Sequence, residues 1–70
     1  MADSVYRVTD IVGVGDSWED AARTAVETAS KSLRDLRVAE VVKLDCTIED
    51  GKVTRFRTRL NLSFKYDGAE

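Results

Sequence analysis

Seventy residues hold one domain, read here as a single unit over 1–70; at this size only about 60% of the unfolded chain's surface is buried on folding, so a lone core is thin. Eleven Lys and Arg stand against thirteen Asp and Glu, a formal net charge of −2 that exerts no long-range pull on nucleic acid or anionic lipid. A single Cys forms no internal bridge and the absence of His removes the usual zinc ligands, which leaves oligomerisation as the route to added stability.

The N-terminal "MADSVYRV" has no basic region followed by an apolar run, and no apolar stretch reaches the ~18 residues of a membrane helix. A soluble cytoplasmic protein without membrane partners is expected. With no proline, repeat or low-complexity tract, nothing divides the chain.

Residues 4–12, "SVYRVTDIV", are rich in β-branched side chains and predict a first strand. The two glycines of "GVGD" at 13–16 predict that a turn ends it. Ser17 lies three residues before Asp20, an acidic capping box, and Asp16, Glu19 and Asp20 bring negative charge to the positive end of a helix dipole. These carboxylates lack EF-hand spacing and are read as capping groups. Trp18, Ala21, Ala22, Ala25, Val26, Ala29, Leu33 and Leu36 recur at helical spacing, opposite Glu19, Arg23, Glu27, Lys31 and Arg34. The apolar stripe is narrow and alanine-rich, suited to close packing on a sheet. Trp18 at its start reads as a core or interface plug.

From Leu36 to Cys46, "LRVAEVVKLDC" starts a second strand. Val42, Leu44, Cys46 and Ile48 alternate with polar residues, as do Phe56, Thr58, Leu60, Leu62, Phe64 and Tyr66 in a third. Both apolar sets are even-numbered. A two-residue Asp50-Gly51 turn would set even against odd, so a three-residue Glu49-Asp50-Gly51 loop is predicted, with a type I turn, a G1 bulge and Gly51 left-handed. That register sets Asp45 opposite Arg55 and Lys43 opposite Arg57. Cys46, with no His to activate it, reads as a small buried apolar residue.

An all-antiparallel arrangement then requires the third strand in the middle. The expected fold is α+β: β-α-β-β, a three-stranded antiparallel sheet of order 1-3-2 with one helix on one face. Arg55, Arg57, Arg59, Asn61, Ser63 and Lys65 occupy the other, open face, the candidate for function. An RNA-binding sheet would expose aromatics for base stacking, whereas Phe56, Phe64 and Tyr66 share the apolar parity, so no nucleic-acid partner is expected. Without His, no Ser-His-Asp or Cys-His arrangement exists, and no enzyme is expected.

Taken in order, "VYRVTDIVG", a helix, "LRDL", "EV", "IEDGKV" and a long alternating strand ending in "SFKY" resemble the dodecin family over nearly the whole chain, with a one-residue difference in the loop after Gly13. The resemblance implies assembly into a hollow homododecamer that stores a small ligand, with the arginine face as a lining or an inter-subunit surface. Flavin-binding members stack the ring on a Trp after the helix and grip its edge with a Gln on the third strand; the matching positions here are Val38 and Arg57, flanked by Arg55 and Asp45. Arg has no acceptor to replace the Gln carbonyl, so a conventional flavin sandwich is not expected. The segments "SWEDAA", "RVAEVV" and "LSFKY" resemble the calcium dodecin branch, which implies a calcium cofactor. Asp10, Glu40 and Asp45 are then the candidate metal ligands, converging across symmetry axes. The alternative is an FMN- or riboflavin-sequestering dodecin with altered contacts, in which Arg55, Arg57 and Lys65 hold a phosphate.

Overall fold

A computed structural model describes residues 3–65. Tyr66, the last apolar position expected of the third strand, lies outside them. Four elements follow in order: β1 (Tyr6–Gly15), α1 (Trp18–Ala29), β2 (Leu36–Glu49) and β3 (Lys52–Lys65). The sheet is antiparallel with order β1-β3-β2, and α1 packs on one face, as the all-antiparallel arrangement required.

The start of α1 is the one expected. Ser17 is the N-cap in extended conformation, and its hydroxyl accepts the Asp20 N–H at 3.0 Å, which satisfies one of the helix's open amides. Its end comes earlier. The helical periodicity through Leu33 and Leu36 overran the helix, which stops at Ala29: the Ser30 hydroxyl donates to the Glu27 carbonyl at 2.8 Å, and Asp35 turns the chain with φ at 60°. Leu36 instead opens β2 and packs against the core formed by Ala25, Leu60 and Leu62.

β1 also differs. It runs through Gly13 and Gly15 rather than turning there, and neither glycine has a positive φ. Their role is close approach. A Cβ on Gly13 would lie 2.0 Å from the Ala21 carbonyl oxygen, and one on Gly15 would lie 2.8 Å from the Ala21 nitrogen. Ala21, 0% exposed, therefore rests directly on the strand.

The hairpin resolves the parity problem by a different device. Glu49 pairs with Lys52, so the turn has two residues, with Asp50 at φ 52° and Gly51 at φ 76°, the signature of a type I′ turn. Gly51 is left-handed as predicted, but the three-residue loop is not formed. Even-to-even pairing is restored one step later, where Thr54 is an extra residue between Ile48–Val53 and Thr47–Arg55. The bulge is stitched by hydroxyls: Thr47 Oγ1 lies 2.6 Å from Thr54 Oγ1 and accepts the Arg55 N–H at 3.1 Å. Beyond it Cys46 opposes Phe56, and Leu44 opposes Thr58. Asp45 consequently faces Arg57, not Arg55, and Lys43 faces Arg59, not Arg57.

β2 carries two further irregularities, at Val42 and Arg37. Each extra residue reverses which parity faces the helix. Leu44 and Cys46 lie on the helix side; past Val42 the odd residues Val41 and Ala39 replace them, opposite Leu60 and Leu62. Val38 and Glu40 are thereby turned to the open face, opposite Ser63 and Asn61.

The helix covers a minority of the sheet. Twelve residues of α1 span about 18 Å at 1.5 Å per residue, whereas fourteen residues of β3 span about 46 Å. The radius of gyration is 14.7 Å, against about 11 Å for a compact chain of this length. Val41, Leu44, Ile48 and Val53, on the helix side, are exposed in consequence, while Val8, Val12 and Val14 are exposed on the open face. A subunit so built leaves apolar surface for partners to cover.

Candidate functional site

The six residues singled out from the sequence, Asp10, Val38, Glu40, Asp45, Arg55 and Arg57, share the open face. β3 supplies the arginines, and each is tied to a neighbouring strand or loop. Arg57 Nε donates to Asp45 Oδ1 at 2.7 Å and its Nη2 to Oδ2 at 2.9 Å, a planar fork matched to the two carboxylate oxygens. Arg59 reaches the other way, to Asp10 on β1, with Nε 3.1 Å from both oxygens and Nη2 in a further short contact to Oδ2. Arg55 Nε donates to the Gly15 carbonyl at 3.4 Å and lies 3.7 Å from Asp16 Oδ1. The arginine row is therefore largely neutralised within the subunit, and a free phosphate would have to compete with these carboxylates.

The pairing sets the protonation states. The hydrogen bond from Arg57 is the main cause holding the Asp45 carboxyl below the usual 3.8, with charge attraction from Arg57 and Lys43 adding to it. Arg59 lowers Asp10 in the same manner. Both arginines are raised in turn by their partners. Asp10 and Asp45 are thus ionised throughout the neutral range, the state a hard cation requires.

One subunit does not gather the carboxylates. Asp10 and Glu40 both oppose Asn61, from opposite sides of β3, so their backbones are about 10 Å apart at ordinary strand spacing. Asp45 lies further along β2, level with Arg57. Among the described residues no group of three His, Cys, Asp or Glu could hold a metal ion. Calcium takes six to eight oxygens, so one subunit fits it only as a contributor of single carboxylates.

The position expected to stack a flavin is Val38, 58% exposed and opposite Ser63. Arg57 commits two donors to Asp45 and has no acceptor. Cys46 is half-buried opposite Phe56, on the helix side.

Two relationships escaped sequence reasoning. The Trp18 indole N–H donates to the Asp45 backbone carbonyl at 2.9 Å, while its ring meets Phe56 edge-on at 5.0 Å between centroids. The start of α1 is thus fastened to the strand segment whose side chain carries the Arg57 fork. The Asp10–Arg59 pair was legible in part: strand order 1-3-2 sets β1 beside the arginine row, and Asp10 has the parity to meet it.

Helix, bulged hairpin and arginine-bearing open face together define a small α+β domain of β-α-β-β type. A model of the Dodecin family matches residues 5–67, and the chain belongs to that family. It is 45% identical over 69 residues to calcium dodecin from Mycobacterium tuberculosis, covering 96% of each chain. Solved structures agree. The dodecin of Streptomyces coelicolor superposes with a TM-score of 0.88 at 40% identity, covering 96% of this chain and 97% of that one. A crystal structure of the calcium-chelating calcium dodecin of Mycobacterium tuberculosis, described as having a novel calcium-binding site, gives 0.80 at 42% identity with the same coverage. No helix among the described residues is long and apolar enough to cross a membrane.

Proposed function

We propose that this chain is the subunit of a non-catalytic homododecameric cage of the calcium dodecin type, which binds a hard cation through carboxylates contributed by neighbouring subunits. The observation that carries the reading is the Arg57–Asp45 fork, with Val38 on the same open face but further along the sheet, opposite Ser63. An acceptor-less guanidinium at Arg57 and a small aliphatic side chain at Val38 support a face without the amide and aromatic ring that a flavin would need, and the fork keeps the Asp45 carboxylate ionised on that face. Likeness to calcium dodecin supports the cation. The lack of His, and a lone Cys46 without an activating partner, support a storage or binding role over catalysis.

Asp10, Glu40 and Asp45 are the oxygen donors in this reading. Symmetry supplies what a subunit lacks, because a carboxylate near a two-fold or three-fold axis is repeated around it. Calcium bound there neutralises repulsion between copies.

Sedimentation of the purified protein should give about 94 kDa, twelve times the 7.8 kDa chain. Metal analysis after gentle purification should find calcium, and titration of riboflavin and FMN should leave their fluorescence unquenched. A monomer or dimer rejects the cage. Strong quenching without bound calcium replaces the cation with a flavin.

A further inference from the structure

Trp18 opens α1 and is 42% exposed. Packing inside the subunit therefore accounts for only part of its role. Its remaining contacts are specific. The Thr58 hydroxyl on β3 donates to its carbonyl at 2.8 Å, Phe56 on β3 meets its ring edge-on at 5.0 Å, and its own indole N–H donates to the Asp45 carbonyl on β2 at 2.9 Å. Phe56 and Thr58 flank Arg57 along β3. Trp18 thus spans, from the helix side, the same two strands that the Arg57–Asp45 fork spans on the open face.

Asp45 needs such a hold. β2 is an edge strand, laddered to β3 on one side alone. Its register shifts between Val41 and Lys43 and again between Thr47 and Ile48, so Asp45 is the centre of the stretch Lys43–Thr47 with an irregularity at either end. Bulges let a strand bend and twist, and so re-aim its side chains. α1 leans over β1 and β3 and barely meets β2. Among the described residues, the indole bond is the one hydrogen bond from the helix to that strand.

We infer that Trp18 is a positioning residue for the cation site, a role that rests on Asp45 being a cation ligand as proposed above. Its indole N–H, bonded to the Asp45 carbonyl from behind the sheet, fixes the backbone from which the Asp45 carboxylate projects to the open face. A carboxylate aimed before the cation arrives loses less freedom on binding. Groups that orient a metal ligand typically set ~10- to 100-fold of metal affinity. The indole holds the ligand's backbone and not its carboxylate, so a smaller share falls to it.

Trp18→Phe tests the role, since the phenyl ring keeps the contact with Phe56 and deletes the indole bond. Isothermal titration of the assembled protein with calcium chloride should show affinity lowered about fivefold. Ala29→Gly, at the far end of α1, destabilises the same helix and leaves the indole in place, so its affinity should match the parent's. A second readout needs no metal. Hydrogen exchange at the Arg57 Nε–H, which the fork protects, should quicken several-fold in Trp18→Phe, while that at the Arg59 Nε–H, paired with Asp10 on β1, should not change. Equal calcium affinity in the parent and Trp18→Phe overturns the positioning role and leaves the cation site standing. An equal loss of affinity in Ala29→Gly also overturns it, because general loosening of the helix would then suffice. Unchanged Arg57 exchange overturns it whether or not calcium binds. A parent that binds no calcium, with Arg57 exchange still quickened in Trp18→Phe, overturns the cation site and keeps Trp18 as the group that fixes Asp45.

Discussion

Asp45 and Arg57, directly opposed on β2 and β3, close a two-pronged hydrogen-bonded fork of 2.7 and 2.9 Å. If Asp45 is a cation ligand, Arg57 is its internal competitor, a positive group held where the metal charge would sit. Arg57→Ala should raise calcium affinity several-fold. Asp45→Asn should lower it by about tenfold or more, as loss of an oxygen ligand outweighs loss of a supporting partner. Isothermal titration with calcium chloride checks both, and equal affinity in the three proteins would remove Asp45 from the site.

Acid should act in a defined window. The folded-state carboxyls of Asp10 and Asp45 lie below their ordinary 3.8. A depressed carboxyl contributes stability that is fully present above its unfolded value and is lost as pH falls through the folded one. The two arginine pairs should therefore persist at pH 5 and fail only below 3.8. Carboxyl ¹³C shifts followed from pH 6 to 2 should place both midpoints below the ordinary 3.8. A midpoint above 4 for either would mean that its pair does not form in solution.

Gly13 is the least replaceable backbone position. A methyl group there meets the Ala21 carbonyl oxygen at 2.0 Å, which neither a rotamer change nor a flexible tip relieves. Gly13→Ala should cost about 3 kcal/mol by forcing α1 off the sheet. Urea melts followed by circular dichroism measure it, and a loss under about 0.5 kcal/mol would contradict the close approach.

Thr58 is 0% exposed, and its hydroxyl donates to the Trp18 carbonyl at 2.8 Å. Thr58→Val keeps shape and strand preference and removes only that bond, for a loss of about 1 kcal/mol. A valine variant as stable as the parent would show that the hydroxyl is replaceable.

Trp18 joins helix to hairpin by its ring and its N–H. Trp18→Phe retains the aromatic contact and deletes the bond to the Asp45 carbonyl, at about 1 kcal/mol. Trp18→Ala should destabilise further and weaken assembly, seen as smaller species in sedimentation. Unchanged oligomer stability in the alanine variant would free Trp18 from that role.

Much of this architecture is written in the chain. The even-numbered run from Phe56 to Phe64 determined that β3 has one apolar and one arginine-bearing face, since strand side chains alternate without exception unless a residue is inserted. Ser17 and Asp20 determined where α1 begins, because capping is local. The open face and its arginine row followed from those two facts and from strand order. Only the tertiary structure decided the insertions. Val42 and Thr54 are bulges because packing against Leu60 and the type I′ turn at Asp50-Gly51 demand a one-residue correction, and no local pattern marks the place. Those corrections moved Asp45 from Arg55 to Arg57 and turned Val38 and Glu40 onto the open face. Likewise, Gly13 and Gly15 resemble turn residues in sequence, and only the helix lying on them shows that they are there for want of a side chain.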